Sequence, residues 1–201
     1  RWQRPSRDEG WAHETAAEAA VFAGAGAAEY AEAWPQSQVA GGAARGTILH
    51  KLMEEVLTDE TPDDRNSLFA RAAELLGELG IAPASDERLG IAPAELASTV
   101  LRTLALPEVA ARRPRLLPES TVYGASGSGE TETLIAGIAD AVEVDEGGRI
   151  VSVIDWKSDV APGAGQIDHY RAQLDLYRTL TGARRGFLVF MTAGRIMAVG
   201  P

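Results

Sequence analysis

Hydrophobic positions change their spacing near the middle of this chain. Over about residues 46–58, Ile48, Leu49, Leu52, Met53, Val56 and Leu57 recur at the three- and four-residue intervals of one helix face. Two more helices are expected at about 64–79 and 93–105, with Pro62, Gly80, Pro83 and Pro107 as punctuation. Ahead of them, an Ala- and Glu-rich stretch from Thr15 to Trp34 has helical composition, weakened by Gly24 and Gly26 and closed by Pro35 and Gly41-Gly42. From Leu116 onwards the pattern is that of strands. Leu116–Tyr123 and Thr131–Val144 read as strands, Asp145-Glu146-Gly147-Gly148 as a turn, and Arg149–Asp155 as the return strand. Helical periodicity comes back over 165–181, and Gly186–Met191 and Arg195–Val199 form two short strands around Ala193-Gly194. A helical front half followed by hairpin, helix and strands predicts a mixed α/β domain with a central sheet flanked by helices.

Composition narrows the class. A chain of 201 residues with 45% hydrophobic and 24% charged content can bury a real core. Residues 1–44, whose first part carries Arg1, Arg4, Pro5 and Arg7, read as a linker or N-terminal helical arm to a domain at 45–201. No run reaches the roughly 20 apolar residues of a membrane span, and no signal peptide is visible. The absence of cysteine excludes disulfides, zinc–thiolate sites and iron–sulfur clusters, and agrees with a cytoplasmic setting. The chain begins with arginine rather than methionine, as expected of a fragment of a longer protein. A net charge of −10 argues against a stand-alone domain that grips nucleic acid by charge alone.

Lysine is the rarest chemistry here. Of 19 basic residues 17 are arginine, and the only lysines are Lys51 and Lys157. Lys157 ends the apolar run Ile150–Ile154 in Asp155-Trp156-Lys157, where a buried ammonium is costly unless paired or functional. Residues two apart on a strand share a face, so Asp155 and Lys157 project together and Trp156 opposes them. A turn centred on Glu146-Gly147 folds Asp140 back towards Val153–Asp155, which brings two carboxylates and one ammonium to one spot. Such carboxylates hold Mg²⁺ or Mn²⁺, and an ammonium beside them orients water or stabilises developing charge. The plain alternative for Asp-x-Lys alone is a strand-end ion pair. Other residues carry similar double readings. His50, on an apolar helix, is a satisfied core histidine or a ligand. Gln173 and Tyr177 share a helix face with Gln166 and Tyr170, as a packed polar edge or as a site lining. Gly137 permits close approach of another backbone or a ligand three residues before Asp140.

Taken in order, Gly46-x-x-x-His50, Glu119, Gly137-x-x-Asp140, Asp155-Trp156-Lys157 and Gln173-x-x-x-Tyr177 resemble the RecB/AddA-type branch of the PD-(D/E)XK nucleases, over about residues 45–199. The resemblance implies a restriction-endonuclease-like α/β core and a metal-dependent DNA nuclease using Mg²⁺ or Mn²⁺. It further implies an exonuclease acting on single strands, coupled to helicase domains of the same polypeptide or complex, in double-strand-break repair or recombination. Carried over, His50, Asp140 and Asp155 would ligate the metal together with the backbone carbonyl of Trp156. Lys157 would be the catalytic lysine, and Glu119 would support the metal or the lysine. Gln173 and Tyr177 would line the site and orient DNA or the catalytic loop. The missing cysteines set this chain apart from the iron–sulfur relatives. The competing reading is a catalytically inactive module of the same fold that binds DNA or acts as a scaffold. Such descendants lose an aspartate or the lysine, and here all are present.

Overall fold

The computed structural model describes residues 2–3, 34, 39, 42–126 and 133–200; the Ala- and Glu-rich stretch at 15–33 lies outside the described residues. The three long helices of the front half are α1 (Ala43–Leu57), α2 (Arg65–Glu78) and α3 (Pro93–Leu104), and their cores are the residues that the apolar spacing marks. Ile48, Leu49, Leu52, Met53 and Val56 of α1 are all buried. α2 starts on Asp64, whose carboxylate accepts from the N–H groups of Asn66 and Ser67 at 2.9 and 3.0 Å. A cap of this kind stabilises a helix by about 1 kcal/mol. Pro93 opens α3 at a position where a missing N–H costs nothing. Pro107 ends that helical region and also begins a short helix, α4 (Pro107–Arg112), followed by a 3₁₀ turn at Arg113–Arg115. Six residues are too few to show a period, so this helix is invisible to hydrophobic spacing.

The described strands form a six-stranded sheet, five from the back half and one from residues 2–3, in which β3 (Thr133–Val144) is central. Along one edge of it β2 (Leu116–Ser126) pairs antiparallel. Its other edge pairs with the two-residue β1 (Trp2–Gln3), parallel, and with β4 (Ile150–Lys157), antiparallel. β4 then pairs parallel with β5 (Arg185–Phe190), and β6 (Arg195–Val199) closes the sheet antiparallel. The crossover between β4 and β5 is α5 (Ala164–Thr181), which ends at Gly182 in the left-handed conformation (φ 71°).

Both faces of the sheet are covered. Ile154, Trp156, Phe187, Val189 and Met191 pack with α1, α2 and α3. Val153, Leu188 and Phe190 pack with Ile167, Leu174 and Tyr177 of α5 on the other face. This is a mixed sheet between helices, as the sequence pattern predicts. The ring of Trp34 meets that of Phe190 edge-on, with centroids 4.9 Å apart. No helix among the described residues is long and apolar enough to cross a membrane.

Two insertions set the register of the hairpin. A two-residue turn at Glu146-Gly147 would oppose Asp140 to Val153. Instead the hairpin closes with the Asp145 N–H donating to the Arg149 carbonyl at 2.9 Å, and Gly148 enters the loop at φ 74°. The ladder then reads Val144 with Ile150 but Glu143 with Ser152, so Val151 is an extra, bulged residue. Each insertion advances β4 by one position. The regular pairing ends at Ala141 with Ile154, and the same register continued by one step would set Asp140 against Asp155.

Candidate active site

Beyond the Ala141–Ile154 pair the ladder between β3 and β4 stops, while β4 stays paired with β5 as far as Lys157. The Trp156 N–H that this leaves over donates to the Asp140 carboxylate, Oδ2, at 2.7 Å. Trp156 thus joins the site through its backbone while its ring is buried among the helices of the front half. Ala139 and Ala141, two apart, pack into opposite cores, so the in–out alternation of β3 breaks at Asp140. Glu119 lies across from it on β2, at φ 47°, and the β2–β3 pairing passes from Pro118–Ala141 to Ser120–Ala139 around that position. A non-glycine residue in the left-handed region is uncommon, and such outliers cluster at functional sites.

Helix α1 brings His50 to the same opening, with Nδ1 3.5 Å from Asp140 Oδ1. The close approach of α1 explains the glycine one turn earlier: a Cβ on Gly46 would lie 2.8 Å from Ser158 Oγ, immediately after Lys157. Asp155 and Lys157 project from β4 on the face away from Trp156. Lys157 Nζ lies 3.1 Å from Asp155 Oδ2, and both side chains are nearly sealed from water, at 8% and 12% exposure. The ammonium also sits over the Tyr170 ring of α5, 3.9 Å from its centroid, and the Tyr170 hydroxyl contacts the Asp159 carboxylate at 3.2 Å. The lysine is therefore held between a carboxylate and an aromatic face.

The fields in this cluster are strong. Burial by itself would push the His50 imidazole down, but the charge and hydrogen bond of Asp140, and the charge of Asp155, outweigh it and raise the group to about 9. Burial would raise Asp140; His50, Lys157 and the Trp156 N–H reverse this and hold it below the usual carboxylate range. Glu119 is raised by desolvation and by the charges of Asp140 and Glu54. The opening is thus a place of negative potential that retains a proton on histidine at neutral pH. A divalent cation would relieve the same potential, and two carboxylates with an imidazole are a donor set that Mg²⁺ or Mn²⁺ accepts. In kind, the residues fit the metal. Among the described residues no three His, Asp or Glu side chains have the spacing of a formed metal cage. The positive charges now resting against the carboxylates are those of His50 and Lys157.

The other expected residues lie on α5. Tyr177 is buried against Gly137, where an added Cβ would fall 2.5 Å from its hydroxyl and 2.8 Å from its ring. The close approach that Gly137 permits is thus that of a tyrosine ring. Gln173 is half-buried on α5, and its Oε1 is buried with no hydrogen-bond partner among the described residues. Gln166 belongs to the start of α5, where its Oε1 accepts from the Gly163 N–H at 3.0 Å. The residue that touches the lysine is Tyr170, seven before Tyr177 and on the same helix face. Hydrophobic spacing singles out that face; which of its tyrosines reaches Lys157 depends on how far along the sheet the helix lies.

No curated protein matches the chain significantly. Among solved structures, SSO0001 is 24% identical with a TM-score of 0.37, the match covering 78% of this chain and 76% of that one. Rai1 of Scheffersomyces stipitis, in complex with (3'-NADP)+ and calcium ion, is 15% identical with a TM-score of 0.29. That match covers 78% of this chain and 48% of Rai1, so the chain spans about half the length of that protein. A family model matches residues 24–193, which include every residue of the cluster at the parted strands, and the chain belongs to the PD-(D/E)XK nuclease superfamily.

Proposed function

We propose that this domain is a divalent-metal-dependent nuclease that hydrolyses phosphodiester bonds in DNA. Members of its superfamily are generally nucleases that use divalent metals. The observation that carries the reading is the placing of Asp140 and Asp155 at the ends of β3 and β4 where the two strands part, with His50 against one and Lys157 against the other. His50, Asp140 and Asp155 would hold the cation, with the backbone at Trp156 beside them. When bound, Mg²⁺ or Mn²⁺ polarises a phosphoryl oxygen and lowers the pKa of water.

The chain's own groups supply the rest. Lys157, fixed over Tyr170, presents one compact positive charge to a water or to a phosphoryl oxygen, which stabilises charge developing on either. Its near-complete burial keeps bulk water from screening that charge. The Trp156 N–H holds one oxygen of Asp140 and leaves the other turned to His50. Glu119, held at the opposite strand in an uncommon backbone conformation, feels the same negative potential, since desolvation and the Asp140 charge raise its carboxyl.

The order of motifs along the chain supports the narrower reading, an exonuclease of the RecB/AddA type working on single strands delivered by helicase domains in repair or recombination. The net charge of −10 agrees with a domain that relies on a partner for most of its grip on phosphates. The experiment is single-turnover cleavage of end-labelled single- and double-stranded DNA with Mg²⁺, Mn²⁺ or EDTA. Cleavage that needs metal and is lost in Asp140→Asn supports the proposal. Cleavage that persists in EDTA would refute the metal role, and no cleavage of any substrate by the domain in its full-length protein would instead favour a binding or scaffolding module of nuclease fold.

A further inference from the structure

Behind the site, on the side of the front-half helices, lies a second charged cluster that the hydrolytic chemistry does not use. Arg45, five residues before His50 on α1, is 1% exposed. It makes a two-pronged pair with Glu95 of α3, from Nε at 3.0 Å and Nη2 at 2.6 Å. Glu95 is steadied in turn by the Thr99 hydroxyl at 2.7 Å. The remaining prong, Nη1, reaches across the sheet edge and donates to the Ser158 carbonyl and to Thr192 Oγ1, each at 3.0 Å. The Thr192 hydroxyl then donates to the same Ser158 carbonyl at 2.9 Å.

Ser158 is the residue after the lysine. The ladder with the following strand ends at the Lys157 carbonyl, which accepts from the Met191 N–H at 2.9 Å. One step further along, two side chains take the place of a backbone partner. One guanidinium thus ties the helix that carries His50 to the strand end that carries Lys157. An interior ion pair of this kind contributes little net stability compared with apolar residues of the same volume. Stability alone therefore does not account for an arginine whose third prong is aimed at Ser158.

We propose that Arg45, acting through Thr192 and the Ser158 carbonyl, is a positioning residue that sets Lys157 against Tyr170 and Asp155 and holds His50 in register with them. This rests on the nuclease reading, and the test separates the two. Two changes act on the tether: one removes it, and the other removes the hydroxyl while leaving the direct bond from Arg45 to the Ser158 carbonyl. Arg45→Met/Glu95→Leu replaces the pair by apolar volume, and Thr192→Val removes the shared hydroxyl at a half-buried turn. Thr192→Ser is the conservative control.

With only two lysines in the chain, protein labelled with ¹³C-lysine gives one set of signals for Lys51 and one for Lys157. The Lys157 set carries the ring-current shift of Tyr170. In Arg45→Met/Glu95→Leu we expect the Lys157 signals to lose that shift, and in Thr192→Val to lose part of it, while Lys51 stays unchanged. Single-turnover cleavage should fall by about 10- to 100-fold, the range seen when a supporting contact behind an active-site group is lost. KM for DNA should hold, and Thr192→Ser should behave as the unaltered protein. Variants equal to wild type in urea midpoint, Lys157 signals and cleavage rate would overturn the proposal. If the unaltered protein cleaves nothing, the nuclease reading fails, and the Lys157 signals still decide whether the tether positions the lysine.

Discussion

Lys157→Met tests whether the ammonium is the counter-charge that a metal later joins. Methionine keeps most of the stem and removes the charge. Nζ lies 3.1 Å from Asp155 Oδ2, with the two side chains 8% and 12% exposed. At an effective dielectric constant of about 20, unit charges at that separation attract by roughly 5 kcal/mol. Removing the ammonium also removes its own desolvation cost, so the net loss should fall near the low end of the roughly 3–5 kcal/mol seen when a buried pair is broken. A loss of about 3 kcal/mol lowers Tm by about 6–12 °C in a chain of this size. The carboxylate left behind is a better cation ligand, because the repulsion from Lys157 is gone. Mn²⁺ at about 100 times its Kd adds roughly 2.7 kcal/mol, which should bring Lys157→Met close to wild type in EDTA without restoring cleavage. The assay is urea unfolding followed by circular dichroism in EDTA and in Mn²⁺, beside single-turnover cleavage. Asp155→Asn/Lys157→Met, with neither charge, should be more stable in EDTA than Lys157→Met and should gain less from Mn²⁺. If Lys157→Met matches wild type in EDTA, the ion-pair argument is wrong. If the double variant gains as much from Mn²⁺ as Lys157→Met does, Asp155 does not hold the cation.

Gly137→Ala should destabilise by about 1–2 kcal/mol, the cost of overpacking less the backbone gain of alanine over glycine, because a Cβ would fall 2.5–3.0 Å from a buried tyrosine. Equal or greater stability in urea unfolding would show that Tyr177 is not seated there. The His50 group is raised from 6.5 to about 9 on folding, so its contribution is full below about 6.5 and fades as pH rises through about 9. In EDTA, wild-type stability should decline across that window more steeply than that of His50→Gln; parallel curves would contradict the raised value. The isolated domain should bind DNA weakly, and more weakly with salt. Arg112 and Arg115 are already paired with Glu143, and Arg113 with Asp63. Tight binding that ignores salt in a fluorescence titration would show that the domain carries its own grip.

The linear chain determined the elements and the chemistry they carry. Ile48, Leu52 and Val56 recur at helical spacing because one face of α1 must leave water, and that fixes which side of the helix carries His50. The alternation around Asp155-Trp156-Lys157 follows from strand geometry, which puts a buried indole on one face and the charged pair on the other. What only the tertiary structure decided is the register at which those charges approach and the side chains that hold them. Register depends on Gly148 in the loop and Val151 in the bulge, two one-residue insertions that leave no hydrophobic signature, yet without them Asp140 would oppose Val153. The choice of Tyr170 over Tyr177 as the ring beneath Lys157 depends on where α5 sits along the sheet, which a helical period does not encode. Arg45 and Thr192, 147 positions apart, share a hydrogen bond only because α1 crosses the end of β4 beside the turn after β5. Periodicity is a local property set by water on one side of an element. Convergence of charges is long-range, set by how packed elements slide past one another until their buried polar groups find partners.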